Sequence, residues 1–123
     1  MNGRQGFTLI ELLVVMAALG LLLSIAAPHY AEHVDRAREV VLKQNLAGLR
    51  DAIDKYHADR SRYPADLHAL VQHRYLRHVP LDPITDRHDS WVLLPPPGQQ
   101  GVVFDIRSGA PGQARDGSRY AGW

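Results

Sequence analysis

Cysteine is absent from the 123 residues. That removes disulfide frameworks, thiolate metal sites and cysteine nucleophiles at one stroke. Neither sign of charge predominates: 14 Lys and Arg face 13 Asp and Glu, a formal net charge of +1. So even a balance lacks the electrostatic footprint of a protein that coats nucleic acid, and no nucleic-acid partner is expected. Aromatic residues make up only 7%. Tyr30, Tyr56 and Tyr63 therefore read as helix-face packing rather than as base-stacking platforms. Phosphate-cradling G-x-x-x-x-G-K-[ST] and G-x-G-x-x-G loops are missing, as is a G-x-S-x-G nucleophile turn. Ser108 and Ser118 have no base partner at a defined spacing. The length suggests one domain at most.

What is present is unevenly placed. The mean hydropathy of −0.23 averages two unlike pieces. From Phe7 to Ala27 the chain is apolar but for one charge, Glu11. As a helix, those 20 or so residues would reach roughly 32 Å, enough to cross a bilayer core. The preceding residues 1–6 hold one cation, Arg4, and no acid. The positive-inside bias then leaves the N-terminus in the cytoplasm and sends the C-terminal part across the membrane. A cleaved secretory signal fits poorly, because its apolar region spans only about 7–15 residues. A plain anchor fits the length but gives Glu11 no purpose. An ionised residue at the centre of a lipid-facing helix costs on the order of 2.5–3.5 kcal/mol, so it asks for a partner.

Gly6-Phe7-Thr8-Leu9-Ile10-Glu11-Leu12-Leu13-Val14-Val15 resembles the prepilin signature of type IV pilins and type II secretion pseudopilins. The resemblance implies cleavage by a prepilin peptidase between Gly6 and Phe7, then N-methylation of the new Phe7 amine. It also implies an assembly role for Glu11, whose carboxylate would pair with the terminal amine of a neighbouring subunit. Gly6 suits a scissile position, because without a side chain its backbone can enter a tight peptidase site. The division expected is a leader at 1–6, a transmembrane and assembly segment at 7–27, and a periplasmic domain at 28–123.

Helical periodicity continues beyond the apolar segment. Leu42, Leu46, Leu49, Ile53 and Tyr56 form an amphipathic stripe, which Val34, Ala37 and Val41 extend backwards. Asp35, Arg36, Arg38, Glu39, Lys43, Arg50, Asp51, Asp54 and Lys55 take the other faces. The pattern predicts one helix of about 50 residues, kinked at Pro28, which lacks an N–H and crowds the carbonyl of Ser24. Pro64 disfavours helix at Tyr63 and ends it. Asp66 can cap a short second helix with Leu67, Leu70 and Val71 on one face. Tyr75–Pro83, with two prolines, reads as an irregular loop.

Trp91–Leu94 and Val102–Ile106 are strand candidates joined by the turn Pro95–Gly101, an antiparallel hairpin. Gly109, Gly112 and Gly117 mark a loop closed by Tyr120 and Trp123. A lone hairpin is unstable, and the helix stripe is the surface available to cover it. Asp59–Pro64, Val79–Thr85, Trp91 and Phe104–Gly109 through Asp116-Gly117 to Trp123 are similar, in order, to the major pseudopilin of type II secretion. That resemblance implies a calcium site in the C-terminal loop, held by clustered aspartates and backbone carbonyls. This chain is shorter than usual for the family and poor in acid there: it offers Asp105 in the strand and Asp116 in the loop. Calcium favours six to eight oxygen ligands with ample carboxylate charge. The alternative is that Asp105 and Asp116 satisfy backbone N–H groups in a tight turn. The expectation is no cofactor, with calcium adding little to stability.

His29-Tyr30-Ala31-Glu32-His33 matches H-x-x-E-H, a zinc-hydrolase pattern. A catalytic zinc needs a third protein ligand, and the only later glutamate is Glu39. His68, His73 and His78 recur every five residues, keep no constant helix face and read as exposed. The fold expected is α+β: a long N-terminal helix, membrane half then amphipathic half, packed on a small antiparallel sheet. The function expected is structural, not enzymatic. The chain would polymerise with itself into a short periplasmic filament that drives protein export. A surface pilin or minor pilin is the alternative. Expected partners are the peptidase, minor pseudopilins, an inner-membrane assembly platform and, before assembly, membrane lipid. The expected location is the bacterial inner membrane, single pass, then the periplasmic filament.

Overall fold

The computed structural model describes the backbone of residues 2–123 and the side chains of residues 8–123. Helix α1 runs Asn2–Arg60, longer than the periodicity predicts because it includes the residues before Phe7. Leu, Ala, Glu, Lys and Arg are good helix formers and dominate its sequence. The helical backbone continues through Pro28. Ser61 stops it: at φ 54° it adopts the left-handed conformation, and its N–H reaches back 2.8 Å to the carbonyl of His57. This is the backbone route by which many helices satisfy a last carbonyl. His57 and Arg60 place basic side chains in the final turn, where the helix dipole favours them.

Helix α2, Leu67–Gln72, begins at Asp66, whose carboxylate accepts from the Ala69 N–H at 2.9 Å. Leu67 and Leu70 are buried, while Val71 is only half-buried. Strands β1, Val92–Leu94, and β2, Asp105–Arg107, pair antiparallel in the register Val92–Arg107, Leu93–Ile106 and Leu94–Asp105. The second strand therefore starts later than predicted. Val102 to Phe104 stand outside it: Val103 turns its N–H to the carbonyl of Pro64 at 2.8 Å, and only Phe104 donates to β1, to the carbonyl of Leu94 at 2.8 Å. Trp91 also lies just outside β1, buried, with its indole N–H on the carbonyl of Pro80. A short 3-10 turn, Tyr120–Gly122, closes the chain.

Two compact units divide the molecule, one ending at Asp35 and the other spanning Arg36–Trp123. In the second, Leu42, Leu46, Leu49, Ile53 and Tyr56 of α1 are all buried, as their spacing predicts, and Ala52 joins them. Leu67, Leu70, Trp91, Val103 and Ile106 complete the cluster. The backward extension of the stripe fails: Val41 is exposed, Ala37 likewise, and Val34 is only half-buried. An apolar residue at the right period is buried only where a partner element covers it. Tyr30 is 72% exposed, so the packing role expected of it is not met within the described residues. Tyr56 is in the core, and Tyr63 stacks on His57 with ring centroids 4.1 Å apart.

Candidate functional site

In the first unit, residues 8 to 33 of α1 are exposed without exception. An 18-residue stretch of α1 reaches a mean hydropathy of 2.6, long and apolar enough to cross a membrane. Leu9, Ile10, Leu12 and Leu13 are each more than half exposed around Glu11. Glu11 thus presents a carboxylate on a helix that is otherwise greasy on every side. Gly6 and Phe7, the expected cleavage and methylation positions, lie outside the residues whose side chains are described. His29, Glu32 and His33 share the exposed helix surface. Among the described residues, no three His, Asp or Glu side chains gather where they could hold a metal ion.

In the second unit the two aspartates proposed for calcium have different partners. Asp105 pairs with Arg50 of α1, Nε to Oδ1 at 2.9 Å. The same oxygen accepts the N–H of Ile106 at 2.8 Å. Asp116 instead accepts from Ser118 twice, from its N–H at 2.9 Å and its hydroxyl at 2.6 Å. Those bonds, the hydroxyl first, hold the Asp116 carboxyl below its ordinary value, with Lys43 adding a weaker pull. One aspartate is neutralised by a guanidinium and the other is committed to a local turn. Calcium requires several carboxylates converging with carbonyls on one point, and this pair does not fit it.

Sequence reasoning missed a third arrangement. Asp82, in the proline-rich loop, is fully buried. Its carboxylate accepts from the Ser108 hydroxyl at 2.6 Å and from the Ile84 N–H at 2.9 Å. Ser108, also fully buried, passes the link on by accepting the Ala110 N–H at 3.1 Å. This is a structural clasp between two loops 26 positions apart. Only an Asp between prolines hinted at it, and such an Asp is ordinarily a surface turn residue.

An exposed apolar helix with one acid near its start, followed by an amphipathic half packed on a small antiparallel sheet, defines the pilin-like class of protein. The prokaryotic N-terminal methylation motif matches residues 1–27. Type II secretion system core protein G of Klebsiella michiganensis is 31% identical over 90% of this chain and 87% of its own length. The protein of the same name from Klebsiella pneumoniae is 30% identical over 100% of this chain and 96% of its own. The chain belongs to the type II secretion system core protein G family, and is a pseudopilin. Fimbrial protein EcpC of Eikenella corrodens is 35% identical, but over 62% of this chain and 53% of its own length. No solved structure matches the chain at a significant level.

Proposed function

We propose that the chain is processed between Gly6 and Phe7, methylated at the Phe7 amine, stored in the inner membrane and polymerised with itself into a periplasmic filament that pushes proteins outward. The observation that supports it most is Glu11, the one charge in the apolar run from residue 7 to 27. A monomeric anchor gains nothing from such a residue, whereas a filament gives it a partner in the terminal amine of an adjacent subunit. The chain acts by assembly and catalyses no reaction. Its partners are a prepilin peptidase, minor pseudopilins and an assembly platform, with lipid around residues 7–27 before assembly. Arg4 keeps the N-terminus cytoplasmic and the domain from residue 28 periplasmic. Pro28 bends the helix at the membrane surface. No metal takes part.

The test is Glu11→Leu, expressed with the assembly machinery and compared with the wild type by sheared filament yield. Membrane insertion should improve, by about 2.5 kcal/mol or more on the insertion scale. Filaments should vanish, since an amine left unpaired in an apolar core typically costs about 3–5 kcal/mol. Mass spectrometry should find both proteins starting at Phe7. Normal filaments from the variant, or an intact Met1 start in the wild type, would overturn the reading. The fimbrial relative supports a second reading, a surface pilin. A deletion strain that exports normally but loses surface fibres would favour it.

A further inference from the structure

Three charged side chains of α1 sit beside its buried stripe and all reach the last part of the chain. Glu39 accepts the N–H of Arg115 at 2.9 Å and the Tyr120 hydroxyl at 3.2 Å. Lys43, one turn on, lies 4.6 Å from the centre of the Trp123 ring and is the cation that acts on Asp116. Arg50, two turns further, donates to the Asp105 carboxylate at 2.9 Å, to the Ile106 carbonyl at 2.9 Å and to the backbone oxygen of Trp123. Spacings of four and seven residues keep the three on one helix face.

The Arg50 set is informative. One carboxylate and two backbone oxygens, from the neighbours Asp105 and Ile106 and from Trp123, converge on a positive charge. That is the donor chemistry of a calcium site, with a guanidinium at its centre. The planar fork of Arg can serve several acceptors in fixed directions, which a compact ammonium cannot. We infer that Glu39, Lys43 and Arg50 form a built-in ionic ladder that fastens residues 105–123 to α1 in place of a metal ion, Arg50 being the resident cation. The disagreement between the acid-poor loop and the calcium site its resemblance implies then has a cause. The positive charge is carried by the helix, so the loop needs no aspartate cluster.

The experiment uses the full chain in detergent micelles, with hydrogen exchange followed by mass spectrometry over residues 105–123 and over the α1 core around Leu49. Wild type should exchange identically in millimolar calcium and in chelator. Arg50→Met should speed exchange in 105–123 by roughly tenfold or more, since three charge-assisted bonds go at once. The α1 core should stay protected. Arg50→Lys should fall between the two, and calcium should rescue neither variant. Should Arg50→Met unfold the whole chain, Arg50→Lys carries the test by the same readout. Calcium-dependent protection of 105–123 in the wild type would overturn the inference. So would unchanged exchange there in Arg50→Lys and Arg50→Met.

Discussion

A single carboxylate fixes the two long loops of the soluble part. Asp82 has no exposed surface, so each bond it makes is formed away from water, where an orphaned group is expensive. Replacing it with Ala strands the Ser108 hydroxyl and the N–H of Ile84 together. Asp82→Ala should therefore destabilise the chain by about 3 kcal/mol, and Ser108→Ala, which strands the buried Asp82 carboxylate oxygen and the Ala110 N–H, by about 2 kcal/mol. Thermal melts of the two variants in detergent, set beside the wild type, check the order. Equal midpoints for Asp82→Ala and wild type would show that the clasp does not hold the loops. Gly109, next to Ser108, has its own constraint: a Cβ built there would stand 2.0 Å from the backbone oxygen of Ser90. Backbone cannot yield as a flexible side chain can, so only glycine fits where this loop passes the backbone at Ser90.

Among the elements, α1 was the most legible in the sequence, and the reason is periodic. Leu42, Leu46, Leu49, Ile53 and Tyr56 declare a helix face through local spacing alone, and all five are buried. The N-cap at Asp66 was legible for the same local reason. The start of β2 was not. Val102, Val103 and Phe104 suit a strand, but the N–H of Val103 goes to Pro64, a choice made by a residue 39 positions away. The site divides likewise. Gly6, Phe7 and Glu11 stand in one contiguous stretch, within the residues 1–27 that the N-terminal methylation motif matches, so the motif is legible from local sequence. The pairing of Arg50 with Asp105 is not, because 55 residues separate them. The end of α1 offers a test at this scale. Ser61 sits at φ 54°, where a Cβ costs about 1 kcal/mol that glycine avoids. Ser61→Gly should raise the melting midpoint modestly, offset in part by the greater freedom glycine gives the unfolded chain. A lower midpoint would mean that the serine side chain contributes more than its backbone costs.

At the scale of the whole molecule, one helix carries two unrelated duties, and leucine serves both. Between residues 8 and 33 it offers apolar side chains to surroundings outside its own chain, with Leu13 at 62% exposure. From Leu42 onward it offers them inward, with Ile53 at 0%. Truncating the two should therefore give opposite phenotypes. Ile53→Ala removes buried methyl groups and leaves a cavity, which typically costs about 2–5 kcal/mol. The soluble part should melt earlier and be cut faster by protease, while insertion of the apolar segment is untouched, because Ile53 lies outside it. Leu13→Ala removes no contact that stabilises the folded chain, so its melt in detergent should match the wild type. In the membrane the same change exposes less apolar surface to lipid, a loss of about 1–2 kcal/mol per subunit at roughly 25 cal/mol per Å2. In a filament that packs these helices together, it should leave a void at every repeat. The pair is measured by thermal melting and by sheared filament yield on the same two variants. A stable Leu13→Ala protein with few filaments, beside an unstable Ile53→Ala protein, is the expected pattern. A loss of melting temperature in Leu13→Ala would mean that residues 8–33 fold against their own chain, and the division of labour along α1 would fall.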